Sequence, residues 1–221
     1  MKKILFFLLI SAGLNMQQIF PQSRWTFELS SGIPLNIPFP LSIYQDNEAT
    51  IKINSAKFYS EPFVLPPYWD WRFSRTGSKN FWELEAIHHK LYLDTRHPDI
   101  QRFSISHGFN IFTVNYGWLI KKFRVKIGAG TVFSHPETEI RNKKFEDSGN
   151  FLNTVYHISG PIVNMGINRR WYMLKRWFCN VEIKNTFAYT AIPVAEGHAN
   201  FFTSTFHFTA GLGYDFILRE D

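Results

Sequence analysis

The chain has 221 residues, with 24 Lys and Arg against 18 Asp and Glu and a net charge of +6. Aromatic residues make up 18% of it and charged residues 19%, the latter below the roughly 25% of soluble domains. The ring content excludes disorder. The single cysteine, Cys179, excludes a disulfide framework or Cys-rich metal module, and no apolar run reaches the roughly 20 residues a spanning helix needs.

Taken from the N-terminus, Met1-Lys2-Lys3 and the apolar run Ile4 to Leu14 have the form of a secretory signal peptide. Cleavage is expected between Gln18 and Ser23, leaving a leader over 1–22 and one domain over 23–221. Beyond it the dominant period is two, which means strands with one apolar and one polar face. Eight such strands are expected, at 24–31, 67–75, 80–93, 102–119, 123–133, 155–172, 177–190 and 204–217. In the last, Phe206, Phe208, Ala210, Leu212, Tyr214 and Phe216 share one face; His207, Thr209, Gly211, Gly213 and Asp215 share the other.

The connections carry a second signal. Thr76 to Lys79, Lys121-Lys122 and Leu174 to Arg176 read as tight turns. The connections over 32–66, 94–101, 134–154 and 191–203 are longer. Long and short alternate strictly, the asymmetry of an outer-membrane barrel with short periplasmic turns and long external loops. A soluble barrel would have to turn its rings inward, and eight strands leave an interior too narrow for them. Turned outward, the rings coat the lipid-facing band, while interior charges such as Glu83, Glu85, Arg124, Lys126, Glu182 and Lys184 pair across the lumen. The expected fold is therefore all-β: an eight-stranded antiparallel up-and-down transmembrane β-barrel.

The chain thus resembles the small eight-stranded outer-membrane barrel proteins of Gram-negative bacteria, and Gly211 to Phe216 is similar to their closing strand. The stretches Trp82 to Lys90 and Ile105 to Asn110 look specific to a family. Tyr156-His157-Ile158-Ser159 is similar to the His-x-Ser element of the outer-membrane lipid A deacylases. That resemblance implies Ser159 as nucleophile and His157 as base, with an acidic residue as orienter.

All eight histidines fall on the side of the long loops. Parity sets Glu83, Glu85 and His89 inward, with Trp82, Leu84 and His88 toward lipid. On the next strand it sets Ser104, Ser106, Gly108 and Asn110 inward and His107 outward, so that His89, Glu85 and Ser106 form an internal polar cluster. A metal set of His135, Glu137, Glu196 and His198 has no recognised ligand spacing, and neither metal nor cofactor is expected. Arg141, Lys143 and Lys144 suit lipopolysaccharide phosphates, so the expected partners are outer-membrane lipids. The basic residues are too scattered for nucleic acid. The expectation is a monomer in the outer membrane with a structural or surface-interaction role. The alternative is a lipid A-modifying enzyme, an acyl hydrolase or acyltransferase acting at the outer leaflet.

Overall fold

A strand can satisfy its backbone inside a bilayer only if its sheet closes on itself. The computed structural model of the protein, which describes residues 23–145 and 156–217, shows that closure. The expected leader and residues 146–155 of the third long connection lie outside the described residues.

The elements in order are β1 (Arg24–Ile37), β2 (Phe39–Gln45), β3 (Ile51–Ala56), β4 (Phe58–Tyr59), β5 (Trp69–Thr76), β6 (Asn80–Leu93) and β7 (Ile100–Ile120). They continue with β8 (Phe123–Ser134), β9 (Glu137–Ile140), β10 (Lys143–Lys144), β11 (His157–Tyr172), β12 (Trp177–Val194) and β13 (Gly197–Ile217). The strands β1, β5, β6, β7, β8, β11, β12 and β13 form a ring, each antiparallel to the next, and β13 pairs back onto β1. These are the eight expected strands.

Around the lower part of the ring the apolar face is outside. Val181, Ile183 and Phe187 of β12 and Phe206, Phe208 and Leu212 of β13 are exposed, while Glu182, Lys184, Thr186, His207 and Thr209 are buried. The lumen there is filled by ion pairs, as a narrow barrel with buried charges requires. Lys184 Nζ meets Asp70 at 2.6 Å and also bonds Glu85. Lys126 Nζ reaches Glu83 at 2.6 Å, and Glu85 and Glu182 at 2.9 Å each. Arg72 joins Glu182 and Glu28, and Arg170 joins Glu28. Below this network Phe81 and Phe178 close the periplasmic end, each laid over the glycine paired with it across the strands, Gly117 and Gly213. A Cβ at either glycine would stand 2.2 Å from the ring. Arg124 and Arg170 cover the two phenyl rings from above, at 3.7 and 4.5 Å from their centroids.

Above the network the polarity of the walls inverts. Leu41, Ile43, Ile87, Leu91, Phe103, Ile105, Phe109, Ile140, Ile192 and Phe201 all point inward and are buried in one apolar core. This outer storey corrects the expected long loops. The connection expected over 32–66 holds the top of β1 and the strands β2, β3 and β4, with β2 paired to β13 and β4 to β6. The one expected over 191–203 is a turn at Ala195-Glu196, because β12 and β13 stay paired up to Val194 and Gly197. The strands continue past the bilayer, and a barrel extended into water hides its apolar residues inside. A search for apolar residues outside therefore stops at the membrane edge.

Candidate functional site

The residues implied by the deacylase resemblance are not presented to lipid. β11 has a bulge against β8 between Ile158 and Gly160, which reverses the parity of the strand above it and turns Ser159 inward while Ile158 faces out. Ser159 is 2% exposed; its hydroxyl lies 2.5 Å from Ser134 Oγ and 3.1 Å from the His157 carbonyl. The His157 ring packs near Phe145.

The expected internal cluster is likewise divided. His89 points inward as parity requires, but its ring lies edge-on to Phe109 at 5.2 Å and to His207 at 5.5 Å. Glu85 belongs to the ion-pair network and accepts from Asn115 and Asn164. Ser106 is on the outside of the barrel: Phe103, Ile105, Phe109 and Ile111 are the buried inward residues of β7, so its parity is the reverse of that expected. The reason is the inverted polarity of the outer storey. The four residues of the metal reading also diverge. His198 stacks on Tyr44 at 4.9 Å, Glu196 holds Lys143 at 2.5 Å and raises that amine above its usual pKa, and Glu137 is engaged elsewhere.

A different set converges on the outer wall. Between paired positions, β7 runs from Ile105 to Phe109 while β6 runs only from His89 to Leu91, so two extra residues of β7 bulge outward. This excursion, Ser106-His107-Gly108, turns at Gly108 with φ of +139°. A Cβ there would meet the Asn110 amide at 2.6 Å, so glycine both permits the turn and leaves room for Asn110. On the neighbouring strand Pro136 has no N–H to donate and β8 ends before it. Pairing resumes with Glu137 opposite Ser104, which carries Glu137 to the bulge.

There the Glu137 carboxylate accepts the Ser106 hydroxyl at 2.6 Å and is bonded by His107 Nδ1 and by the Arg102 guanidinium. The Tyr156 hydroxyl donates to the His107 carbonyl at 2.9 Å. His135 stands between them, its ring 5.1 Å from that of His107 and 5.8 Å from that of Tyr156. With Nδ1 committed to Glu137 and the side chain 62% exposed, His107 keeps Nε2 for a partner outside the barrel. This is a carboxylate-oriented imidazole, the arrangement of a general base. Ser106 donates to the carboxylate and so supports it.

Next to this cluster the wall is hollowed into a niche of about 720 Å³, lined by Trp69, His88, Asn110, Phe112, Phe133 and Tyr156. His88 Nδ1 and Asn110 Oδ1 are 2.8 Å apart, and the indole of Trp69 is stacked on the imidazole at 5.4 Å. Residues 61–67 pass over β6 beside the niche, where Phe63 and Leu65 are 72% and 83% exposed. Beneath them the Lys90 amine donates to the carbonyls of Val64 and Leu65 at 3.0 and 3.2 Å. His88 faces outward as parity predicts. Asn110 also faces outward, not inward as expected, in regular pairing with His88 and in phase with the exposed Phe112. Glu137 and Arg102 become part of the site only through the bulge and the strand break, for which Gly108 and Pro136 are the available signals.

No protein-family model matches the chain, and no curated protein does. Among solved structures it is similar to the outer membrane protein OprG from Pseudomonas aeruginosa, at 13% identity over 89% of this chain and 95% of that one, with a TM-score of 0.48. It is also similar to Ail, the attachment invasion locus protein of Yersinia pestis, at 7% identity over 88% and 97%, with a TM-score of 0.37. A third is the outer membrane protease OmpT from Escherichia coli, at 11% identity over 91% and 99%, with a TM-score of 0.36. On its own surfaces, apolar outside and charged within a closed antiparallel ring, the chain is an outer-membrane β-barrel protein.

Proposed function

We propose that this is a non-conducting barrel that works at its outer wall, as a monomer, by holding an outer-leaflet lipid in the niche beside His88 and Asn110. Among the described residues the lumen offers no passage, because phenyl rings, an ion-pair network and an apolar core fill it in succession. The observation that carries the reading is the niche itself: about 720 Å³ of ring-lined space on the outside of the wall, with two polar side chains at its edge. Ligand sites have this size and this balance of apolar wall to few polar groups. The occupant with matching chemistry is an acyl chain with a polar head, and lipopolysaccharide is the outer-leaflet lipid of that kind. Native mass spectrometry of the purified barrel tests this. The wild-type chain should keep one lipopolysaccharide molecule through detergent exchange, and Phe112→Ser with Phe133→Ser should lower its retention about ten-fold. Equal retention would end the reading.

One observation favours a second, catalytic reading on the same lipid: the outward His107 held by Glu137. In this reading water attacks an acyl-ester carbonyl and gives its proton to His107 Nε2. The C–O bond breaks, and the leaving alkoxide takes that proton as a fatty acid departs. Mass spectra of lipid A from cells expressing the protein should then lack one acyl chain. His107→Gln should restore the chain, while Ser106→Ala should leave its removal largely intact. Identical acylation with and without the gene would dismiss this version and leave the lipid-holding role standing.

A further inference from the structure

Above the niche the outer wall carries a second recess, of about 290 Å³, where β4, the top of β6 and the start of β7 meet. Tyr59 and Tyr92 are paired directly across β4 and β6, and their rings stack at 5.0 Å with 21° between the planes. Tyr59 remains 47% exposed, so the stack presents an open aromatic surface. Around it stand Asp94, Arg96, Gln101 and Arg102. Arg102 is fixed in direction, with Nε donating to Ser104 Oγ at 3.2 Å and Nη2 bonded to Glu137. Arg96 is exposed and has no ion-pair partner among the described residues.

That combination has a specific chemical complement. A pyranose ring has a face of C–H groups that packs on an aromatic ring, and a rim of hydroxyls that must both donate and accept. Asp94 accepts, the guanidinium groups donate and Gln101 does both. An anionic substituent on the ring would find the free guanidinium of Arg96, the side chain best shaped for phosphate or carboxylate. The recess is also placed in series with the niche, because Arg102 bonds Glu137, Glu137 bonds His107, and Tyr156 reaches from His107 into the niche wall. The direction runs outward along β6, from His88 in the niche, past Lys90 under residues 61–67, to Tyr92 in the recess.

We infer that the recess is a binding site for an anionic sugar ring, the head group of the glycolipid whose acyl chain occupies the niche. This rests on the lipid reading given above, and the two fail separately. The same sugar chemistry could come from a glycolipid in the membrane or from a free glycan outside it, and the test separates these sources.

The full chain in detergent micelles is titrated with a glucosyl phosphate, with methyl glucoside and with inorganic phosphate, followed by saturation-transfer NMR and calorimetry. The sugar phosphate should bind about ten-fold more tightly than either of the others. Tyr59→Ala and Arg96→Gln should each weaken it by a similar factor, in variants whose folding is verified by the heat-dependent shift of a barrel on a gel. Phe112→Ser should weaken intact lipopolysaccharide far more than it weakens the sugar phosphate. Equal binding of inorganic phosphate would reduce the recess to an anion patch, and equal binding of methyl glucoside would remove the role of Arg96; either overturns the inference. Retention of lipopolysaccharide without any sugar-phosphate binding overturns it and spares the niche. Sugar-phosphate binding with lipopolysaccharide indifferent to Phe112→Ser overturns the head-group assignment in favour of a free glycan.

Discussion

Replacing Lys184 with Met should destabilise the folded barrel by about 3–5 kcal/mol, because the change strands charges that have no water to turn to. The Lys184 amine is buried between Asp70, at 2.6 Å, and Glu85, with Glu182 at 4.0 Å. Glu85 keeps Lys126 at 2.9 Å, but Asp70 is left with only the 3.7 Å approach of Arg72. The loss should therefore be concentrated on Asp70, and the double variant Lys184→Met with Asp70→Asn should recover a good part of it. Urea unfolding from lipid vesicles, followed by tryptophan emission, reads both quantities. A loss below about 1 kcal/mol for the single variant would mean that the lumen is wet at this level.

The preceding residue on β12 should behave in the opposite way. Ile183 is 56% exposed, in the middle of the outward series from Trp177 to Tyr189. Ile183→Arg should cost about 2–4 kcal/mol, the penalty for a cation on the lipid face near the bilayer midplane. Ile183→Leu should be close to neutral, since no cavity or clash is created. The same unfolding assay in vesicles serves. If Ile183→Arg were tolerated in vesicles as well as in detergent, this face would not be in hydrocarbon. Adjacent positions that demand a charge and reject one are a strict test of which way each face points.

What could be read from the sequence follows from the same physics. The eight strands, their faces on β12 and β13 and the lumenal ion pairs were legible, because lipid outside and charge inside make a two-residue period that local composition displays. The outer storey was not. In β2, Leu41 and Ile43 are inside while Ser42 and Tyr44 are outside, a pattern as regular as that of β13 but of inverted polarity. In β12 the run Ala191-Ile192-Pro193-Val194 puts small residues outward, so the lipid signal fades although the strand continues. His88 was legible as outward-facing, since it lies on an unbroken alternation from Trp82. The grouping of Ser106, His107 and Glu137 was hidden for two reasons. The inverted polarity of the outer storey reverses the meaning of parity at Ser106, and Glu137 arrives from a hairpin 31 residues further along. Pairing between distant strands, which no local pattern records, decides that contact. Ser159 was misjudged for a different reason, a single extra residue in β11 that reverses parity above it.

The core of the outer storey has a consequence for how the protein reaches its final state. Leu41, Ile87, Phe103, Ile140, Ile162 and Phe201 come from six different strands, so this core is complete only once the ring has closed. Its final packing is therefore expected to form after the strands have paired, on the far side of the bilayer. Once it forms, a packed knob wider than the open chain sits beyond the membrane, and withdrawal would require melting it first. The packed cap is thereby expected to oppose withdrawal of the strands, in the manner of a rivet head.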